Sequence, residues 1–324
     1  MRWLKHFHMT GHPDRINLTR RLRSAARVYL RIILCIFLGS PCAWAQTPAL
    51  ELESKIPLGD IHGRIDHLAV DLARQRLYVA ELGNDSVGVV DIKERKTIRT
   101  LTGLHEPQGI GYVPSTDTVY VANAKDGSVH LFKGADLTPI SQVALGDDAD
   151  NVRVDDGAHS VFVGYGSGAL AIIDANTHAK IGDIALKGHP ESFRLEPSGK
   201  RIFVNVPDAH EIAVVDRATN KQIASWPTGM RFSNYPLALD EQERVLVVFR
   251  HPARLAVFQA KDGQVLNAVP TCGDSDDLFA DTRRHRVYVS CGEGLIDVFA
   301  SQGTQHTRVS HIPTVSGART SLFV

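Results

Sequence analysis

Val119-Tyr120-Val121-Ala122-Asn123 is a short run in which three of the four apolar residues are β-branched or aromatic. Lys125-Asp126-Gly127 follows, a turn sequence. Such a run reads as a β-strand. It recurs as RLYVA at 76–80, VFVG at 161–164, IFVNV at 202–206, VLVVF at 245–249 and VYVS at 287–290. A second pattern precedes each copy. It begins near Leu68, Ile110, Val152, Phe193, Leu237 and Leu278, and again at Leu322, at intervals of 42, 42, 41, 44, 41 and 44 residues. A third pattern follows each copy: VGVVD at 87–91, VHLF at 129–132, LAIID at 170–174, IAVVD at 212–216, LAVF at 255–258 and IDVF at 296–299. A weaker fourth stretch comes last, as in Thr97–Leu101 and Lys221–Trp226.

No sustained helical period separates these runs. Four antiparallel strands in about 42 residues, repeated, are the signature of a β-propeller blade. A β-solenoid would have shorter repeats. The expected fold is therefore all-β, a seven-bladed propeller design with its last blade incomplete. Residues 68 to about 312 supply six full repeats, and 317–324 open a seventh. Leu50–Pro57 (LELESKIP) stands where the outer strand of a shared closing blade belongs. On this count the chain is expected to be cut short, lacking roughly 30 residues by blade length. The alternative is a six-blade ring with Gly317–Val324 as a tail.

The chain resembles the YncE-like, YVTN-repeat family of seven-bladed propellers. Val119–Asn123 nearly spells the motif that gives the repeat its name, and Leu77–Ala80 and Val287–Ser290 repeat it. The resemblance covers roughly residues 50 to 324. It implies fold and compartment more than activity.

The ends of the chain differ in charge. Residues 1–45 hold eight basic residues and one acid, which leaves 28 basic and 35 acidic residues over 46–324, a net charge of −7. Arg27 and Arg31 precede the apolar run Ile32–Leu38, and Ala43-Trp44-Ala45 is a small-residue cleavage pattern. Residues 1–45 thus read as a secretory signal peptide cleaved after Ala45, with Met1 or Met9 as the start. The body, 46–324, is expected in the periplasm or secreted, without a membrane span. Cys35 and Cys42 leave with the leader, so Cys272 and Cys291 remain. Pairing Asp281 with Arg286 places Asp276 opposite Cys291 and Cys272 a few residues away. A disulfide is expected there; the other reading is two independent thiols.

The residues just before each innermost strand ring one mouth of a propeller channel. Two places ahead of each reference residue stand Asp66, Gln108, Asp150, Glu191, Tyr235, Asp276 and Thr320. One place ahead are His67, Gly109, Asn151, Ser192, Pro236, Asp277 and Ser321. Arg64, Glu106, His189, Asn234, Asp274 and Arg319 are near, and Arg153 and Arg194 lie on the strands themselves. A mouth with polar groups converging from several blades is the usual place for a ligand.

Crowded carboxylates need arginine partners, raised pKa values or a cation. In one reading Asp150, Asn151, Glu191 and Asp276 hold Ca²⁺ or Mg²⁺ through oxygen, opening lactonase- or lyase-like chemistry. In the other, Arg153, Arg194 and Arg319 neutralise the acids, and the mouth takes a small polar ligand or an envelope protein. A third class is a purely structural envelope protein, its rim a solvated ring of ion pairs.

No Cys-x-x-Cys-His or His-Glu-x-x-His occurs, so haem attachment and the common zinc-protease site are not indicated. Gly164–Gly168 is read as a hairpin turn rather than a phosphate loop. DNA binding, which the resemblance brings into view, is disfavoured by the acidic body. The reading adopted is an exported monomeric propeller that binds a small polar ligand or a protein partner at its channel mouth.

Overall fold

The computed structural model describes residues 49–324. The leader expected over 1–45 lies outside the described residues. In the strand Thr118–Asn123 all six residues are buried. Side chains alternate across a strand, so each run serves two neighbours at once. Val119 and Val121 pack with Tyr78, Val87 and Val89 of the preceding sheet. Tyr120 and Ala122 pack with Val161 and Val163 of the following one. This is why the runs are apolar throughout rather than alternating.

Six four-stranded antiparallel sheets result, each in plain sequence order. They are the blades of a β-propeller. The innermost strands are Leu68–Asp71, Pro107–Val113, Val152–Asp155, Phe193–Leu195, Phe232–Leu239 and Ser275–Asp281. Each of the first five lies against the innermost strand of the next blade. The core is five apolar clusters, each shared by two consecutive blades. Fully burying one such side chain stabilises by roughly 1.5–3 kcal/mol, so the inter-blade faces dominate stability.

The fourth strands face water. Pro139–Ala144 has no fully buried residue. In all six blades a register shift interrupts the pairing of the third and fourth strands. A bulge and charged residues on an edge strand discourage pairing with another chain.

Two expected elements of a seventh blade differ from observation. Residues 50–57 form no strand. They run beside blade one instead, where Glu53 pairs with Arg95 at 2.7 Å and the Thr97 hydroxyl donates to the Pro57 carbonyl at 3.0 Å. An outer strand needs a third strand to bond to, and none lies beside this segment among the described residues. Residues 317–324 likewise form no strand. They nevertheless sit against blade six. The Ser321 N–H donates to Asp277 at 2.6 Å, the Ser321 and Ser290 hydroxyls are 2.7 Å apart, and Phe323 stacks on Tyr288 at 5.6 Å. Thus six sheets are present among the described residues, not seven.

Cys272 and Cys291 are disulfide-bonded, with their Cα atoms 5.9 Å apart. Asp281 does pair with Arg286, but Cys291 faces Ser275, because a bulge at Asp276 shifts the register by one. The bond spans 19 residues and is buried in the core shared by blades five and six. In the chain-entropy account a loop of this length is worth ~3 kcal/mol. The paired Cys272→Ala, Cys291→Ala protein should unfold at lower denaturant concentration by that amount. An unchanged midpoint in guanidinium titrations would remove the disulfide from the stability account.

Candidate functional site

A repeated backbone feature builds the mouth. At the head of each inner strand, two residues oppose one residue of the second strand. In blade one the Asp66 N–H donates to the Ala80 carbonyl at 2.8 Å, and the Ala80 N–H donates to the His67 carbonyl at 3.1 Å. Asp150 and Asn151 share Gly164 in the same way, and Glu191 and Ser192 share Asn205. In blades two, five and six the ladder steps from Pro107 to Ile110, from Asn234 to Leu237 and from Ser275 to Asp277. These are β-bulges, which re-aim side chains at the end of a strand. They turn Asp66, Gln108, Asp150, Glu191, Tyr235 and Asp276 toward one cavity.

That close approach explains Gly109. A Cβ there would lie 1.9 Å from the Asp150 carbonyl oxygen. The second blade's bulge therefore packs directly under the third blade's rim, and only glycine fits.

The cavity measures about 280 Å³. Of the residues expected at the mouth, Asp66, His67, Gln108, Asp150, Asn151, Glu191, Tyr235, Asp276 and Arg319 line it. Arg153, Arg194 and Asp277 do not. They lie one layer deeper, on a second cavity, and His67 borders both. Glu106 and Asn234 are absent from the lining. Asn234 is buried and bonds Asn205 at 3.1 Å.

The expected neutralisers also differ. Arg319 does pair with acids, Nε to Asp276 at 3.0 Å and Nη1 to Asp274 at 2.9 Å. Arg153 and Arg194 bond instead to neutral oxygens of Val152, Phe193, Asn151 and Ser192. Their place on the strand below the bulge puts backbone carbonyls, not rim acids, within reach. Arg64 is ion-paired with Asp66, and Arg250 shares Asp274 and Asp276 with Arg319.

Arg250 escaped the sequence reading. It donates to Asp276 at 2.9 Å and to the Ser275 carbonyl at 2.9 Å, and its guanidinium lies 4.1 Å from the Tyr235 ring centroid. A signal for it exists. The corresponding positions two residues past the bulge partner hold Leu82, Ala124, Gly166, Pro207 and Gly292, so Arg250 is the charged exception.

Two histidines sit among the acids. His67 Nε2 is 3.8 Å from both Asp66 and Asp150. Burial opposes its charge, but Asp66, Asp150 and Asp277 outweigh burial and raise its pKa. His189 Nδ1 donates to the Gly166 carbonyl at 2.7 Å and lies 3.4 Å from Asp148. Burial works against its charge too, yet Asp150, Gly166 and Asp148 lift it to about 9.

The carboxyls divide. Burial pushes Asp66 up to about 6, against the pull of His67. Burial, with Asp150 adding to it, pushes Glu191 up to about 8. Asp150 is buried as well, but His189, His67 and Arg64 hold it below the usual carboxylate value. At neutral pH the pair is therefore an ionised Asp150 and a protonated Glu191. One Asp150 oxygen accepts from Asn151 at 3.3 Å, and the other, though buried, has no hydrogen-bond partner among the described residues.

Two of the four residues expected to hold a cation are engaged by arginines. Asp276 is taken by Arg250 and Arg319, and Asn151 by Arg153. Among the described residues no three His, Cys, Asp or Glu side chains are grouped to hold a metal ion. No helix among them is long and apolar enough to cross a membrane.

No protein-family model and no curated protein matches the sequence. Solved structures do match in fold. A chain of Kuenenia stuttgartiensis hydrazine synthase superposes with a TM-score of 0.70 at 14% identity, covering 86% of this chain and 92% of that one. A chain of a mitotic checkpoint complex superposes with a TM-score of 0.68 at 12% identity, covering 84% and 91%. At these identities the likeness is one of fold alone.

Glu191 ties stability to pH. Its folded-state pKa of about 8 lies above the ordinary 4.5. The unfolded chain releases this proton first, so stability falls as pH rises through that window and levels off above it. Each tenfold difference in proton affinity is worth about 1.4 kcal/mol. Glu191→Gln cannot ionise. It should match the parent near pH 5 and exceed it in stability near pH 9. Superimposable stability–pH curves would contradict this placement of Glu191.

Proposed function

We propose that the chain is an exported propeller of the seven-blade, YVTN-repeat type that binds a small polar ligand at its channel mouth. The observation that carries this reading is the buried Asp150 oxygen that accepts no hydrogen bond and is faced by His67 at 3.8 Å, on the wall of a cavity of about 280 Å³. A buried acceptor left unsatisfied costs roughly 1–3 kcal/mol, and a ligand donor removes that cost. The arginines are already committed to Asp66, Asp274 and Asp276. The unmet demand at the mouth is therefore for hydrogen-bond donors. An amine, an amino sugar or a polyol meets it, as does the side chain of a protein partner.

Two further parts of the reading rest on separate support. Export, with cleavage after Ala45 and a periplasmic or secreted location, agrees with the Cys272–Cys291 bond, since disulfides persist in oxidising compartments. The seven-blade design is supported by Arg319, Ser321 and Phe323, which continue the ring register beside blade six.

Calorimetric titration with ethanolamine, glucosamine and sorbitol tests the mouth. Binding of at least one, weakened tenfold or more by Asp150→Ala, is the expected result. Ca²⁺ and Mg²⁺ belong in the same series. A cation bound through Asp150 would replace the polar-ligand reading with a metal-dependent one, and no binding by any of the five would leave a structural propeller.

A further inference from the structure

The channel has a second chamber with the opposite chemistry. It measures about 310 Å³ and lies beyond His67, on the far side of the acidic mouth. Its walls are largely apolar: Val70, Ile110, Val152, Val154, Phe279 and Leu322. Arg153 and Arg194 open onto it from neighbouring blades. They occupy equivalent places, each two residues after the second bulge residue, Asn151 or Ser192. The fold therefore sets two guanidinium groups side by side.

Neither forms a close ion pair with an acid among the described residues; Asp277 acts on both, and Asp150 on Arg153, only from farther off. Arg153 donates to the Phe193 carbonyl at 3.1 Å, the Val152 carbonyl at 2.8 Å and the Asn151 side-chain oxygen at 3.0 Å. Arg194 donates through Nη1 to the Ser192 hydroxyl at 3.3 Å and the Phe193 carbonyl at 3.0 Å. Its Nε and Nη2 donate to nothing among the described residues, which leaves that face of the fork turned to the chamber. Burial and the neighbouring Arg194 push Arg153 down to about 9, so it stays protonated at neutral pH. The acid in this layer is Asp277, whose carboxylate accepts the Ser321 N–H and faces His67. Two partly buried cations with neutral partners repel one another, and an anion between them relieves both costs. A guanidinium fork matches a carboxylate in two parallel hydrogen bonds.

We propose that this inner chamber binds a small organic carboxylate, its head group between Arg153 and Arg194 and its apolar body against the Val70–Ile110–Val152 wall. The site is separate from the mouth and does not depend on what the mouth binds. The apolar wall selects an organic acid over an inorganic oxyanion, and the arginine pair selects it over an uncharged or cationic analogue.

The purified protein is titrated with benzoate and hexanoate, with inorganic phosphate and hexylamine as contrasts. The two carboxylates should bind and raise the melting temperature, and the two contrasts should not. Arg194→Gln should weaken carboxylate binding at least tenfold, Arg194→Lys should recover part of it, and the turn variant Arg283→Ala should bind as the parent does. Crystals soaked in 4-bromobenzoate should show an anomalous bromine peak in the chamber, a readout that needs no variant to fold. Absence of that peak, equal binding by Arg194→Gln, or binding of phosphate in preference to both carboxylates would overturn the proposal.

Discussion

The second strand of each blade must bury both faces simultaneously, and the rest of the structure depends on that demand. One face of Thr118–Asn123 completes the core with the preceding blade and the other completes the core with the following one. A blade cannot move without opening two interfaces. The channel geometry is therefore set by side-chain volume between sheets, not by the loops that carry the polar groups. Close packing reaches the rim itself, where Gly109 lets one bulge lie against the next.

The bulges convert that scaffold into a site. A regular strand sends successive side chains to opposite faces, and both faces here are committed to apolar cores. At the mouth, Asp66, Gln108, Asp150, Glu191, Tyr235 and Asp276 reach the channel where the ladder gains a residue, while Arg153, Arg194 and Arg250 reach it from regular strand positions. Repeating the device in all six blades brings acids, histidines and arginines from distant positions in the chain to one cavity. Crowding then sorts their charges. Asp150 keeps its charge because His189 and His67 face it, and Glu191 keeps its proton because it is buried and lies beside the charged Asp150.

Much of this was legible in the chain because the repeat gives depth along the channel. The inner, second and third strands fall where the apolar runs lie, and nine of twelve expected mouth residues line the cavity. Register does not give the partner of a long side chain. Arg153 and Arg194 were placed by strand position, yet a guanidinium reaches several ångströms and takes the nearest acceptor, here a backbone carbonyl. Arg250 comes from a second strand, outside the positions that the repeat points to. The bulge was hidden for a similar reason: counting from one apolar residue to the next does not reveal an extra residue in the ladder. It displaced Cys291 from Asp276 to Ser275 while leaving the disulfide within reach. LELESKIP alternates as a strand should, but alternation without a partner strand makes no ladder.

The two chambers of the channel share His67, and that arrangement has an electrostatic logic. Above it three arginines and two histidines face five acids, one of them the protonated Glu191, and below it two arginines face the one acid, Asp277. His67 is drawn toward protonation by Asp66 and Asp150 on one side and by Asp277 on the other. A propeller with a symmetric, fully paired ring would have no reason to separate charge in this way. The imbalance is confined to the channel. The outer ion pairs, such as Arg74 with Asp71 and Arg244 with Asp240, are locally complete. Uncompensated charge placed where five packed interfaces hold it rigid is a cost to folding, and it is retained at the positions where a bound molecule can offset that cost.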